Sequence, residues 1–391
     1  MIYDFETTVD RLKQGSRKWM AMRELRPDVR EGVVPFSVAD SDIPLMPEIR
    51  EGLKAYLDEA VLGYTSMTDA QYQAVIDWQA KHHQFPVKKE WILTTCGVVA
   101  ALHYAVQAFS KAGEGVAILT PVYPPFYRAV TLHDRLLVDI PLKEGRDHHF
   151  TIDFDGLEEA IKEYRITLLL FCSPHNPVGR VWTKDELTRL ASIAEKYGVI
   201  IACDEIHNDL IRSGYTHQVL AQLNDWTKEH VLTFTAPSKT FNIAGLQTSV
   251  IIIPNEELRR KFEEQMELNA CHGANALGLK AMELAYTQGE AWLEGYLTLV
   301  ERNIQVLGDF LSKKLPKAYM AQMEGTYLAW VNLEAYVEDL DSLMDRLYDE
   351  DIFFTDGSTF GEAGRGFVRV NLSATTEELK KVLDRLANCI S

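Results

Sequence analysis

A chain of 391 residues is longer than one small core organises, so two domains are expected. With 47% hydrophobic and 25% charged residues it has the composition of an ordinary globular protein. The formal charge of -17, from 57 acidic against 40 basic residues, argues against nucleic acid or an anionic membrane surface as a partner.

No apolar run approaches the length of a membrane span; the runs at 166–172 and 250–254 are short, as buried strands are. Met1 to Glu6 show no basic region followed by an apolar core, so no secretory signal is read and a cytoplasmic location is expected. Five widely spaced cysteines (Cys96, Cys172, Cys203, Cys271, Cys389) are read as reduced and buried, forming neither a disulfide frame nor a metal site. The pairs His82-His83 and His148-His149 are read as exposed, with no shared metal, because adjacent residues of a strand face opposite ways.

In chain order, a strand over 91–95 leads at Gly97 into a helix. Strands follow at 115–119, 166–171, 199–203, 231–234 and 248–253, separated by helical stretches. The helix after the third strand opens on a capping box, Thr183 with Glu186, and runs to Tyr197. Short apolar strands alternating with helices predict an α/β fold: a mostly parallel sheet covered on both faces. Beyond it come an amphipathic helix over 290–314, strands over 326–333 and 366–372, and a closing helix from Thr375. The predicted division is a large domain over 48–286. A smaller one is formed by 1–47, rich in turns and charges, together with the α+β unit over 287–391.

The chemistry-bearing residues fall at the ends of the predicted strands, where open α/β sheets place their ligands. Lys239, in Ser238-Lys239-Thr240-Phe241-Asn242, follows a buried strand; a lysine there is either desolvated or covalently committed, and a Schiff-base lysine makes its neighbours useful. Pyridoxal phosphate also needs an acid at its ring nitrogen, phosphate donors, an aromatic platform and a donor to its phenolic oxygen. Asp204 ends the strand over 199–203 and suits a cationic N–H, although a turn or N-cap aspartate reads as well. Asn176, in Ser173-Pro174-His175-Asn176-Pro177-Val178-Gly179, has a free amide in a turn fixed by prolines and a glycine. Gly97, Val98 and Val99 open a helix whose free N–H groups suit a phosphate, or form a plain strand-to-helix turn. Tyr123 stands in a Pro-rich loop as a stacking platform or a surface aromatic.

Asn176-Pro177-x-Gly179, Asp204-Glu205-Ile206-His207 and Ser238-Lys239-Thr240-Phe241-Asn242-x-x-Gly245, in this order, resemble the fold-type I pyridoxal-phosphate enzymes of the class I/II aminotransferase superfamily. Val38-Ala39-Asp40, Gly63-Tyr64-Thr65, the run from Ser173 to Trp182 and Gly325-Thr326-Tyr327-Leu328-Ala329-Trp330 look like its MalY/PatB-type cystathionine β-lyase branch. The resemblance spans nearly the whole chain and implies a mostly parallel, seven-stranded-type sheet flanked by helices, with a smaller α+β C-terminal domain. It implies that Lys239 carries the cofactor and moves the substrate proton, Asp204 meets the ring nitrogen, Asn176 the phenolic oxygen, and Tyr123 the ring face. Gly97, Val98, Val99 and Ser238 hold the phosphate, joined by Tyr64 of the partner subunit in a homodimer with a shared site. Arg369 grips the substrate α-carboxylate, with Ala39 and Asn176 beside it, and His207 supports the cofactor region. Tyr64 and Tyr123 are further implied as catalytic groups, and no metal is implied.

Two positions depart from the pattern. Ser41 stands where the branch usually has Met, and Gln247 where many aminotransferases have a phosphate-binding Arg. The implied reaction is β-elimination from a sulfur-bearing amino acid such as cystathionine, giving a thiol (homocysteine), pyruvate and ammonia. The alternatives are an aminotransferase, which shares the lysine and the proton abstraction, and a non-catalytic scaffold on the same fold.

Overall fold

The computed structural model describes residues 3–390. Its strands are β1 (Ile92–Thr95), β2 (Gly115–Thr120), β3 (Leu136–Pro141), β4 (Lys143–Glu144), β5 (Phe150–Thr151), β6 (Leu168–Cys172), β7 (Ile200–Asp204), β8 (Val231–Thr235), β9 (Ser249–Ile252), β10 (Tyr319–Met320), β11 (Leu328–Asn332), β12 (Thr355–Asp356) and β13 (Phe367–Asn371). Seven of them form one sheet in the order β1-β9-β8-β7-β6-β2-β3. β9 runs antiparallel to both neighbours and the other pairings are parallel. This is the expected α/β sheet. A second, antiparallel sheet, β10-β11-β13-β12, follows the long helix Glu290–Lys314, and β4 pairs with β5 as a hairpin.

The central strands read as unbroken apolar runs because both faces are covered. Successive side chains enter opposite cores. Leu168, Leu170 and Cys172 of β6 pack on the side of the helix Val98–Phe109, while Leu169 and Phe171 pack on the other. The predicted capping box is present: Thr183 accepts from the Glu186 amide, and Glu186 accepts from the Thr183 amide. No helix among the described residues is long and apolar enough to cross a membrane.

Arg26 and Phe36 hydrogen-bond to the C-terminal part of the chain. The Phe36 amide donates to the Phe353 carbonyl at 2.9 Å, the Asn371 amide to the Phe36 carbonyl at 3.0 Å, and Arg26 to the Tyr348 carbonyl at 2.7 Å.

Several expectations are corrected. β3 escaped the pattern because it is an edge strand with only Val138 and Ile140 buried, and it ends in Pro141, tolerable only at an edge. His82 and His83 end the helix Asp69–His83 and are not in a strand; His83 is buried against Asp209 and His82 stacks on Trp78. His148 and His149 are half-buried, paired with Glu144 and Glu324. Cys96 is exposed and Cys271 and Cys389 are half-buried, although all five thiols are free.

Candidate active site

Strands β1, β2, β6, β7 and β8 all point the same way, so five loops open at one edge of the sheet. That edge collects Gly97 after β1, Tyr123 after β2, Asn176 after β6, Asp204 at the end of β7, and Ser238 and Lys239 after β8. Arg369 comes from the other sheet, in the middle of β13 opposite Trp330 and Thr355.

Lys239 lies in the short helix Pro237–Thr240, and its Nζ donates to the Ala39 carbonyl at 2.8 Å. Burial, and then the nearby Arg369 guanidinium, pull its pKa down to about 8, against the opposing pull of Asp40 and Asp204. Asp204 is buried; one carboxylate oxygen accepts from the Ile206 amide at 3.1 Å, and no ion pair is made among the described residues. Burial therefore pushes its pKa up to about 7, with the Ile206 hydrogen bond and Lys239 only partly offsetting it.

Arg369 is 4% exposed. Its Nη1 donates to Asn176 Oδ1 at 3.1 Å and the guanidinium lies 4.9 Å from the Phe360 ring centroid. Its Nε has no hydrogen-bond partner. No carboxylate among the described residues takes the fork, and burial lowers its pKa to about 10. A buried guanidinium with an orphaned donor beside an amide side chain is shaped for a planar anion.

His207 is buried rather than at the surface, edge-on to Tyr327 at 6.0 Å, with Nδ1 unpartnered. Burial, Lys239 and Arg369 hold its pKa well below the usual value, so the ring is neutral. Tyr123 is half-buried, and its backbone N–H donates to the Asn176 carbonyl at 3.2 Å, which ties the β2 and β6 loops together.

Gly97 has φ +112, a conformation that L side chains rarely adopt, and a Cβ there would meet nothing within 4 Å. The helix it opens has no side-chain cap, so the amides of its first turn are free for an anion. Ser238 Oγ reaches the Thr248 carbonyl at 3.4 Å. Thr248 directly precedes β9, whose Ser249 pairs with Thr95, so Ser238 and Gly97 share one corner. Tyr64 stands apart from its own chain's cluster, with a relative exposure of 113%.

The departure at Ser41 is a structural exchange. Its Oγ donates to the Ser373 carbonyl at 2.9 Å and its amide donates to Asn242. Gln247, with φ 46, closes the turn before β9.

Two polar networks beside the site were not anticipated. Lys18 is buried between Asp40 and Asp42, and Asp209 accepts from Trp78, His83 and Thr240, the residue next to Lys239. Their partners lie tens to hundreds of residues apart. The one usable signal was a second aspartate in Asp204-Glu205-Ile206-His207-Asn208-Asp209.

Residues 31–386 match the model of the aminotransferase class I and II family. The chain belongs to this family. Within it the chain sits in the MalY/PatB branch. It is 37% identical to the cystathionine beta-lyase PatB of Bacillus subtilis (strain 168), covering 99% of this chain and 100% of that protein. It is 30% identical to the protein MalY of Escherichia coli (strain K12), covering 100% and 99%. Among solved structures, cystalysin from Treponema denticola, which contains a pyridoxal 5'-phosphate cofactor, superimposes with a TM-score of 0.97 at 42% identity, over 100% of this chain and 99% of that one.

Proposed function

We propose that this aminotransferase-family chain is a pyridoxal-phosphate-dependent carbon–sulfur lyase. It takes L-cystathionine or a related cysteine S-conjugate, plus water, to a thiol, pyruvate and ammonium. The observation that carries the reading is the meeting of three charged groups that make no ion pair among the described residues: the half-buried Lys239 amine, the buried Asp204 carboxylate and the buried Arg369 guanidinium. The names of PatB and cystalysin support elimination as the outcome.

The residues fit the cofactor. An unpaired buried carboxylate, an orphaned guanidinium nitrogen, an uncapped helix N-terminus and open space at Gly97 are unfavourable or idle without a charged ligand. Lys239, Asp204, His207, Tyr123 and Asn176 would hold the cofactor, and Gly97, Val98, Val99 and Ser238 its phosphate. Pyridoxal phosphate, when bound, supplies an aldehyde that condenses with amines and a ring that takes up the electron pair released at the substrate α-carbon. Arg369 and the Asn176 side chain bind the α-carboxylate, with Ala39 alongside, and so fix which substrate bond faces Lys239. The Lys239 amine, with its pKa near 8, accepts and returns a proton at Nζ close to working pH.

Arg369→Lys keeps the charge but loses the fork. KM for the amino acid is expected to rise about 10- to 100-fold with a smaller fall in kcat, read from initial rates of pyruvate release.

The partner is a second copy of the chain. Leu57, Val61, Leu62 and Tyr64 stand out along one exposed segment, Val61 at 90% and Tyr64 at 113% relative exposure, which suits burial against another protomer. Tyr64 of the partner subunit then reaches the phosphate corner. Tyr64→Phe is expected to weaken cofactor retention about tenfold in equilibrium dialysis. Unchanged retention would place Tyr64 elsewhere.

A substrate panel on the loaded protein tests the function. Pyruvate from cystathionine or another S-conjugate, without need of a keto acid, is expected. Keto-acid-dependent amino transfer with no pyruvate would make it an aminotransferase.

A further inference from the structure

The run Gly325-Thr326-Tyr327-Leu328-Ala329-Trp330 is one of the marks of the branch, and its tyrosine is buried. Gly325 is fitted under the Asn176 turn: a Cβ there would lie 2.9 Å from Val181 and 3.4 Å from Pro174. Thr326 takes φ +64 and caps the start of β11 through its Oγ1, which accepts from the Leu328 amide at 3.1 Å. These two residues aim Tyr327 inward. Its ring is 2% exposed, edge-on to His207, and its hydroxyl donates to the Ala39 carbonyl at 3.0 Å.

That carbonyl is the acceptor used by Lys239 Nζ at 2.8 Å. A phenol and the amine therefore converge on one carbonyl oxygen, which has the capacity to accept both. The peptide around it is held throughout. Asn371 Nδ2 donates to the Val38 and Asp40 carbonyls at 2.8 and 2.7 Å, Lys18 Nζ to the Asp40 carbonyl at 2.9 Å, and Asn242 Nδ2 to the Ser41 carbonyl at 3.1 Å. Every carbonyl from Val38 to Ser41 thus accepts from a side chain. Tyr327 is the donor that fixes the one facing the lysine.

We propose that Tyr327 is a positioning residue that fixes the Ala39 carbonyl as the resting point of the free Lys239 amine, and that this holds turnover to elimination rather than amino transfer. The inference rests on the lyase reading for its second half. In elimination the proton taken from the α-carbon leaves on the sulfur as the carbon–sulfur bond breaks, and Nζ ends as it began. In amino transfer the carbon–sulfur bond survives: the substrate leaves as a keto acid that keeps the sulfur, and its amino group passes to a second keto acid. An amine pinned to one carbonyl has a narrow range of delivery, and an amine on a loose carbonyl does not.

Tyr327→Phe removes one oxygen and leaves Ala39 bonded to Lys239, so the fold is expected to survive. Three readouts test it. In the loaded enzyme, kcat for pyruvate release falls about tenfold with KM within twofold, and the share of turnovers ending in keto-acid-dependent amino transfer rises severalfold. In the cofactor-free protein, hydrogen exchange speeds up at residues 38–42 but not in β7 or β8. The pH profile of amine labelling at Lys239 shifts; the charged groups near that amine, Arg369, Asp40 and Asp204, are unchanged, as are Tyr123, Tyr296 and His207 near Tyr327. An unchanged exchange pattern and labelling profile in the cofactor-free variant would overturn the positioning role whatever the enzyme's substrate. Altered labelling with an unchanged partition would overturn the link to elimination. A wild-type enzyme that releases no pyruvate defeats the lyase reading and that link, while the cofactor-free measurements still decide the positioning.

Discussion

Lys239→Ala is expected to lower pyruvate release by about 10⁴-fold or more and to leave a protein that no longer holds its cofactor covalently. The size of the effect follows from the surroundings of Nζ. Its one hydrogen-bond partner is a backbone carbonyl, and the nearby ionisable groups are Arg369, Asp40 and Asp204. Arg369 stays charged, and Asp204 lies at the end of a neighbouring strand with its own partner at Ile206. The amine of Lys18, on the neighbouring Asp40 carbonyl, is committed to Asp40 and Asp42. The loss is not one of folding. The Ala39 carbonyl keeps its bond from Tyr327, and the amine removed is one whose charge burial disfavours. Pyruvate release by coupled assay, cofactor absorbance before and after dialysis, and a melting curve separate the two explanations. A variant with normal melting and more than a hundredth of wild-type turnover would remove Lys239 from the proton path.

The parts of this site that were legible in the sequence share one property: they are set by short-range rules. Lys239, Asn176 and Gly97 follow strands and Asp204 ends one, and a mostly parallel sheet brings these ends to one edge. The capping box at Thr183 and the helix Glu290–Lys314 are likewise local patterns, and both lie where periodicity put them. What escaped is long-range. Lys18 reads as one more N-terminal charge until it is seen buried between Asp40 and Asp42. The carbonyl of Ala39 has no signature at all, because a backbone oxygen acquires its role from side chains 200 and 288 residues away. His83 was misread for a related reason: its helix leaves no strong stripe, and its burial is decided by Asp209 from a distant loop.

Asp204→Asn separates stability from activity. In the cofactor-free protein the Asp204 pKa is about 7 against an ordinary 3.8, raised chiefly by burial. The folded state therefore holds a proton that the unfolded chain gives up between about pH 4 and pH 7. Wild-type stability falls as pH rises through that window, and above pH 7 the full cost, about 2–4 kcal/mol, is present. Asparagine keeps the acceptor for the Ile206 amide and carries no charge. The cofactor-free variant is accordingly expected to be more stable than the cofactor-free wild type at pH 8, by about that amount, and to match it near pH 4. Urea unfolding at the two pH values measures this directly. Activity moves the other way. The carboxylate is costly alone because burial disfavours its charge; in its proposed role it faces a cationic N–H of the cofactor, which an amide cannot keep protonated, so kcat is expected to fall about 10²- to 10³-fold. A variant less stable than wild type at pH 8 would mean that a cation already compensates Asp204 in the cofactor-free protein, and the assignment of Asp204 to the cofactor would lose its physical basis.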